Sequence, residues 1–468
     1  MKKRAAVISA IIGIALVVTI FIFMTINFQK SVVLNDEEKD DIQDDFLSQG
    51  LGDFCFNEED CLEFCPNNRR RCGEYCNNNK ENEVCQKLFP FEVASDDKIL
   101  KEEEGNTIPS DIPSCGDRTE FFTAYPIKLS DLTSIRPLGF IGAAPEHIYP
   151  TDHVYFFLKK DSSGHPIEVP VYSPGDVWIT RIKEIKMERP VPDSTDYSIH
   201  FLPCSEFQGF YFHLSTVTEK IKSEIKPPFK YCRDEELGRF KLRACEKDVR
   251  IKLNAGEVMG TVGQLEWQYS FDLGAYDMRT YALDYANPSR WKEWQKHIVC
   301  PFDYFKGDVK DKLKSRLGEN DILRTIEPIC GEIEQDESGT AQGVWFVKDA
   351  KMYTRPELSL IHDFIDPRIG AFAFGFLPAE SSLSPDVLHF IPKNEGLVNR
   401  DFKDVSDDGK IYCYDKLVKQ WSYDKKPEQL IVLIQLTGPT TLRIQGKKSD
   451  SCGSGPWSFS SSYMEFER

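Results

Sequence analysis

Fourteen cysteines are the residues of this 468-residue chain whose spacing speaks most directly to chemistry. Six of them, Cys55, Cys61, Cys65, Cys72, Cys76 and Cys85, fall within 31 residues. Thiols so crowded either pair as disulfides or hold a metal ion. Their gaps of 5, 3, 6, 3 and 8 residues form no CxxC knuckle, and no histidine lies among them. Structural zinc sites draw on such knuckles or on histidine, so up to three disulfides in a small helical or loop-rich module are expected. About fifteen pairings are open, and spacing does not choose among them. The other eight, Cys115, Cys204, Cys232, Cys245, Cys300, Cys330, Cys413 and Cys452, are spread as bridges between strands and loops would be. Cys232 with Cys245 would close a short loop, and Cys300 with Cys330 would clasp two domains, though neither pair follows from the sequence. Cys204 stands between His200 and His213 in "HFLPCSEFQGFYFH", but a bridged sulfur is no nucleophile. The glycine-framed serine, the phosphate loop and the dinucleotide fingerprint are absent.

Disulfides need an oxidising compartment, and the N-terminus supplies a route to one. Lys2, Lys3 and Arg4 precede an uncharged run, "AAVISAIIGIALVVTIFIFMTIN", residues 5–27. At about 1.5 Å per residue this run spans a hydrocarbon core of roughly 30 Å. The positive-inside rule then places the tail, residues 1–4, in the cytoplasm and the body outside. A cleaved signal peptide would have a shorter apolar region and a small-residue cleavage site. We therefore expect an uncleaved, single-pass anchor. Residues 28–50 follow as an acidic, solvated linker. Residues 51–90 hold the cysteine module, and 91–118 lead to the folded body. A net charge of −17 argues against a nucleic-acid partner, whose phosphates need basic surface.

From residue 119 the chain reads as β structure. Apolar or alternating runs recur in "HVYFFL", "IEVPVYS", "VWITRIKEI", "YSIHFL", "GFYFHLSTV", "RIKLN" and "YSFDLGAYD". Turns such as "SSGHP" and "YSPGD" punctuate them. Helical periodicity appears late, in "PSRWKEWQKHIV" and "GDVKDKLKSRLGE". We expect a β domain over 119–305 and a linker helix over 306–324. A second β domain over 325–468 would contain six or so strands, among them "ELSLIHDF", "GAFAFGFL", "QLIVLIQLTG" and "TTLRIQG". "DESGTAQGVWF" reads as a glycine-rich hairpin turn, and Asn399, Arg400 and Asp401 as a polar cluster without an assignable role.

"IEVPVYSPGDVWITRIKE" and "NAGEVMGTVGQ" resemble the paired elements of barrel-sandwich hybrid folds. Two families use that pair, the biotinyl/lipoyl carriers and the lysostaphin-type zinc endopeptidases. A carrier needs a lysine at an exposed hairpin tip, and "VYSPGDVWI" has none. "GFYFHLSTV" resembles a peptidase segment that lies between the two elements, and the likeness runs over about residues 135–280. It implies a mainly β, barrel-sandwich hybrid-like domain, here followed by the second β domain. The stretch Ser223–Val249 would be an insertion that covers the cleft or widens a binding surface.

The resemblance also places a candidate cleft. His153 falls where the family has its first zinc ligand, but Phe157 stands where its aspartate ligand would be. His213 matches the histidine of the middle segment. Gln268 and Ser270 occupy the two histidine positions of the last motif, with Asp272 just beyond. A hydrolytic zinc needs three protein ligands and an open water position, and two histidines do not suffice. The cleft His153, His213, Gln268, Ser270 and Asp272 is thus expected to hold no catalytic residue and no metal. A zinc site rebuilt with His200, Asp152 or Asp277 has no spacing rule behind it. The expected function is a membrane-anchored, extracytoplasmic binding protein, its partner an envelope polymer or protein. The alternative is a zinc endopeptidase of the envelope with an atypical site, and a third class is a purely structural ectodomain.

Overall fold

The computed structural model describes residues 112–142, 147–189, 194–237, 240–263, 269–280, 282–319, 321–349, 356–375, 377, 383–420 and 426–468. The tail, the apolar run 5–27, the acidic linker, the six-cysteine module and Gln268 lie outside the described residues. Among the described residues no helix is long and apolar enough to cross a membrane.

The protein is mainly β, with four disulfides among the described residues. Two-residue alternation builds the first region. Its opening strands are β1 (Leu132–Arg136), β2 (His153–Leu158), β3 (Val169–Tyr172) and β4 (Val177–Arg189). Then come β5 (Ser194–Cys204), β6 (Phe207–Leu214), β7 (Thr216–Val217) and β8 (Tyr231–Leu237). The last are β9 (Phe240–Leu253), β10 (Val258–Val262) and β11 (Ser270–Asp277). Eight of them form an antiparallel half-barrel sheet in the order β1-β2-β11-β6-β5-β4-β9-β8. The remaining three make a small sheet, β3-β10-β7, in which Val171 of β3 faces Gly260 of β10. The core between them holds Val154, Phe156, Ile199, Phe201, Tyr211, Phe271 and Leu273. These are alternate residues of β2, β5, β6 and β11, so the intervening residues share the opposite face.

The stretch Ser223–Val249 contributes β8 and most of β9, which lengthen the large sheet at its edge. Cys232 and Cys245 sit directly opposite each other there and are bridged. The other described bridges are Cys115–Cys204, Cys300–Cys330 and Cys413–Cys452.

"GDVKDKLKSRLGE" forms a helix over Gly307–Lys314, but "PSRWKEWQKHIV" does not. It folds into two 3-10 turns, Pro288–Arg290 and Glu293–His297. Trp291 stacks on Tyr285, and Trp294 packs on Tyr276 beyond the break between the two turns. Leu313, Leu317 and Cys330 pack into the first core, so that core extends into the stretch read as linker and second domain.

The second region is one nine-stranded antiparallel sheet. Its centre is formed by Gly343–Val347, Leu358–His362, Gly370–Phe374 and Asp386–Phe390. Ile431–Gly438, Thr441–Lys447 and Met464–Glu467 continue it on one side. Trp345, Phe372, Phe390, Phe402 and Tyr414 fill its core. "DESGTAQGVWF" holds a turn but not the expected hairpin, since Gly343–Val347 pairs with Leu358–His362 and Met464–Glu467; the carbonyls of Glu337, Thr340 and Gln342 accept bonds from the buried Arg468 guanidinium. Asn399 and Asp401 are structural: Asn399 bonds the Asp415 backbone, and Asp401 caps a short turn and meets His362.

The two regions share interfaces. Arg136 forms a two-pronged pair with Glu319, at 2.5 and 2.8 Å, while its guanidinium lies 4.0 Å from the Phe140 ring centre and 5.8 Å from that of Phe364. Ile141 packs against Ile361, Ala371, Ala373 and Val387.

Candidate functional site

The face of the large sheet opposite the core carries the candidate cleft. Register places Gly274 opposite His153 and Phe210, and Asp272 opposite Tyr155 and Phe212. On β5, His200 lies opposite Phe210. Gly274 is required here: a Cβ at that position would overlap the Phe210 ring.

His213 should by alternation follow Phe212 to the other face. It does not, because β6 carries an extra residue there: Tyr197 pairs with Leu214 and Ile199 with Tyr211. His213 absorbs the irregularity with φ of 71°. Such a backbone is strained for a non-glycine residue, and bulges of this kind re-aim side chains. Here the imidazole is turned toward β11.

The result is a chain of acids and imidazoles. Tyr276 donates its hydroxyl to Asp152 Oδ2 at 2.6 Å, and Asp152 Oδ1 lies 2.8 Å from His153 Nδ1. His153 Nε2 is 3.5 Å from Asp272 Oδ2. The same Oδ2 is 3.5 Å from His213 Nε2. His213 Nδ1 is 2.9 Å from Asp196 Oδ2. Ser270 donates to Asp272 Oδ1 at 3.3 Å. The structure thus gathers His153, His213, Ser270 and Asp272, and it adds Asp152 and Asp196. Asp196 carries no local sequence signal, since only the pairing of β5 with β6 brings it to His213.

The electrostatics follow from this layout. Burial opposes charge on His153, yet Asp272 and then Asp152 hold its pKa above the ordinary value. Burial likewise opposes charge on His213, but Asp196 and then Asp272 push it up to about 9. Its side chain is 43% exposed, and water screens part of that gain. Burial raises the Asp272 carboxyl, against the pull of both imidazoles. Each ring therefore has a carboxylate at both nitrogens, an arrangement that favours the imidazolium.

A ligating nitrogen must give up its proton, so a zinc ion here would compete with the protons that the flanking carboxylates favour on both rings. Among the described residues His153, His213 and Asp272 do not bring three donors within 4.8 Å of one another; Cys115, Cys204 and Glu206 do, but the two sulfurs are bridged.

The other candidates stand apart. His200 bonds Gln208 at 2.9 Å, and burial followed by the charges of Arg181 and Lys183 pushes it down to about 3. Asp277 is committed to Arg279 and to the Tyr304 hydroxyl.

No protein-family model matches the chain, and no curated protein matches it. A solved structure to which it is similar is that of Helicobacter pylori Csd3 from the orthorhombic crystal. The identity is 14% and the TM-score 0.21, over 42% of this chain and 40% of that one. The chain therefore matches less than half of that protein's length, and at that score the likeness fixes neither activity nor ligand.

Proposed function

We propose that the first β region is a non-catalytic binding domain on a hydrolase-like, barrel-sandwich hybrid scaffold. The observation that carries this is the placement of one Asp272 oxygen 3.5 Å from both His153 Nε2 and His213 Nε2. The shared carboxylate charge favours the imidazolium form of both rings, which is not the form that ligates zinc. The pairing of β3 with β10 supports the scaffold reading, because these are the two elements that carry the hybrid resemblance. We further propose that residues 5–27 anchor the chain and that the body faces an envelope polymer or protein. The partially exposed Phe212 and His213 lie on the face that such a ligand would meet.

A second reading, an atypical zinc endopeptidase, draws on a different feature. Each Nδ1 is oriented by a carboxylate, as metal-bound histidines usually are. Elemental analysis of the dialysed full-length chain separates the two readings. The binding reading expects no stoichiometric zinc, no endopeptidase activity and capture of envelope polymer. Zinc near one per chain, lost with activity in His153→Ala and His213→Ala, would establish the enzyme instead.

A further inference from the structure

The last two strands of the large sheet are β9 and β8, and a disulfide crosses between them. Cys232 and Cys245 are direct partners in that ladder, which runs from Tyr231 opposite Glu246 to Leu237 opposite Phe240. Opposite residues of an antiparallel pair lie about 4.5–5.5 Å apart without any bridge. The Cα atoms here are 4.1 Å apart, so the bond joins backbones that the ladder already holds together. Its sequence separation is 13, against 89, 30 and 39 for the other described bridges.

Those three bridges sit in different surroundings. Cys115, Cys204 and Cys330 belong to the first hydrophobic core, and Cys300 packs against it. Cys413 and Cys452 share a cluster with Ile431 and Leu433. A thiolate needs access to one sulfur of a disulfide. A bridge set in a core therefore reacts only after part of that core opens, at a cost that approaches global unfolding. Cys232 needs no such opening. It is partly exposed, and among the described residues no strand lies beyond β8. Cys300 is partly exposed as well, but its bridge is embedded in the first core.

We propose that Cys232–Cys245 is a thiol–disulfide exchange site that a dithiol opens while the fold stands. One thiolate of the dithiol attacks Cys232 Sγ, the S–S bond breaks, and Cys245 leaves as a thiolate. The second thiol of the reagent then displaces Cys232 from the mixed disulfide. Two electrons pass to the protein, both cysteines end as protonated thiols, and the dithiol becomes a disulfide. The ladder of β8 with β9 holds the hairpin after the bond is gone. The site lies apart from the cleft and is independent of whether that cleft binds or cleaves.

The test exposes the native full-length chain to dithiothreitol, quenches samples with iodoacetamide and maps the alkylated cysteines by mass spectrometry. Among the eight cysteines from Cys115 onward, Cys232 and Cys245 should be alkylated together. Their rate should exceed that of the other six by about tenfold or more. The near-ultraviolet circular dichroism spectrum should persist at that point, and hydrogen exchange in β2, β6 and β11 should stay slow. Earlier or simultaneous opening of any of the other three bridges would overturn the proposal. So would loss of the spectrum as the first pair opens. The double variant Cys232→Ser, Cys245→Ser should keep the spectrum and lack the fast phase; a fast pair that persisted in it would place the reactivity elsewhere. If the variant misfolds, the reduction series on the wild type decides alone.

Discussion

Asp196 Oδ2 lies 2.9 Å from His213 Nδ1, and the histidine makes that contact from a backbone held at φ of 71°. Strain and ion pair are therefore two sides of one feature, and each can be measured.

The ion pair gives a pH dependence of defined sign. His213 is raised from 6.5 to about 9 in the fold. A raised imidazole contributes its full stability below the unfolded value and loses it as pH rises through the folded one. Stability should therefore decline between about pH 6.5 and pH 9, by no more than about 1 kcal/mol given the exposure of the ring. Chemical denaturation across that range should show the decline in the wild type. Asp196→Asn should flatten it, and an NMR titration should find His213 shifted back toward the ordinary range.

The strain gives a comparison of two variants. A non-glycine residue in the left-handed region is disfavoured by about 1–2 kcal/mol. His213→Gly should therefore be more stable than His213→Ala by about 1 kcal/mol, although both lose the imidazole. Equal urea midpoints for the two would contradict the strained geometry.

Gly274 predicts a steric effect with a rescue. Its missing side chain leaves room for the Phe210 ring. Gly274→Ala should cost about 1–3 kcal/mol through overpacking. Adding Phe210→Leu should recover part of that loss, so that the double variant is more stable than the sum of the singles. Strict additivity in the thermodynamic cycle would show that the two residues do not press on each other.

The Cys300–Cys330 bridge closes a loop with a sequence separation of 30. Replacing both cysteines with serine should lower stability by about 3 kcal/mol. Thiol labelling of the denatured, unreduced protein should find no reaction at any of the eight cysteines from Cys115 onward, since each is bridged.

Much of this site was legible in the residues. The apolar alternation of "HVYFFL", "GFYFHLSTV" and "YSFDLGAYD" located β2, β6 and β11, and these strands deliver His153, His213 and Asp272. Cys232–Cys245 and Cys300–Cys330 are bridged, two pairings that the sequence suggested but did not determine. What escaped depends on pairing between strands. Alternation alone would send His213 to the core face, and only the extra residue in β6 relative to β5 turns it outward. Asp196 enters through the same pairing. The turns around Trp291 and Trp294 read as a helix because periodicity records spacing alone, and a 3-10 turn shares much of that spacing. Asp386–Phe390 escaped as a strand, and so did Val418–Lys419, which spans only two residues.

The strand Gly370–Phe374 is buried along its whole length. Phe372 and Phe374 face the core of the second region, while Ala371 and Ala373 face Ile141 of the first. This has a practical meaning for anyone dividing the gene. A fragment beginning near residue 325 would carry a sheet with a bare apolar back, and it should aggregate or require a substitute cover. The second region is therefore not a transferable cassette, and a recombinant boundary does not belong between the two sheets.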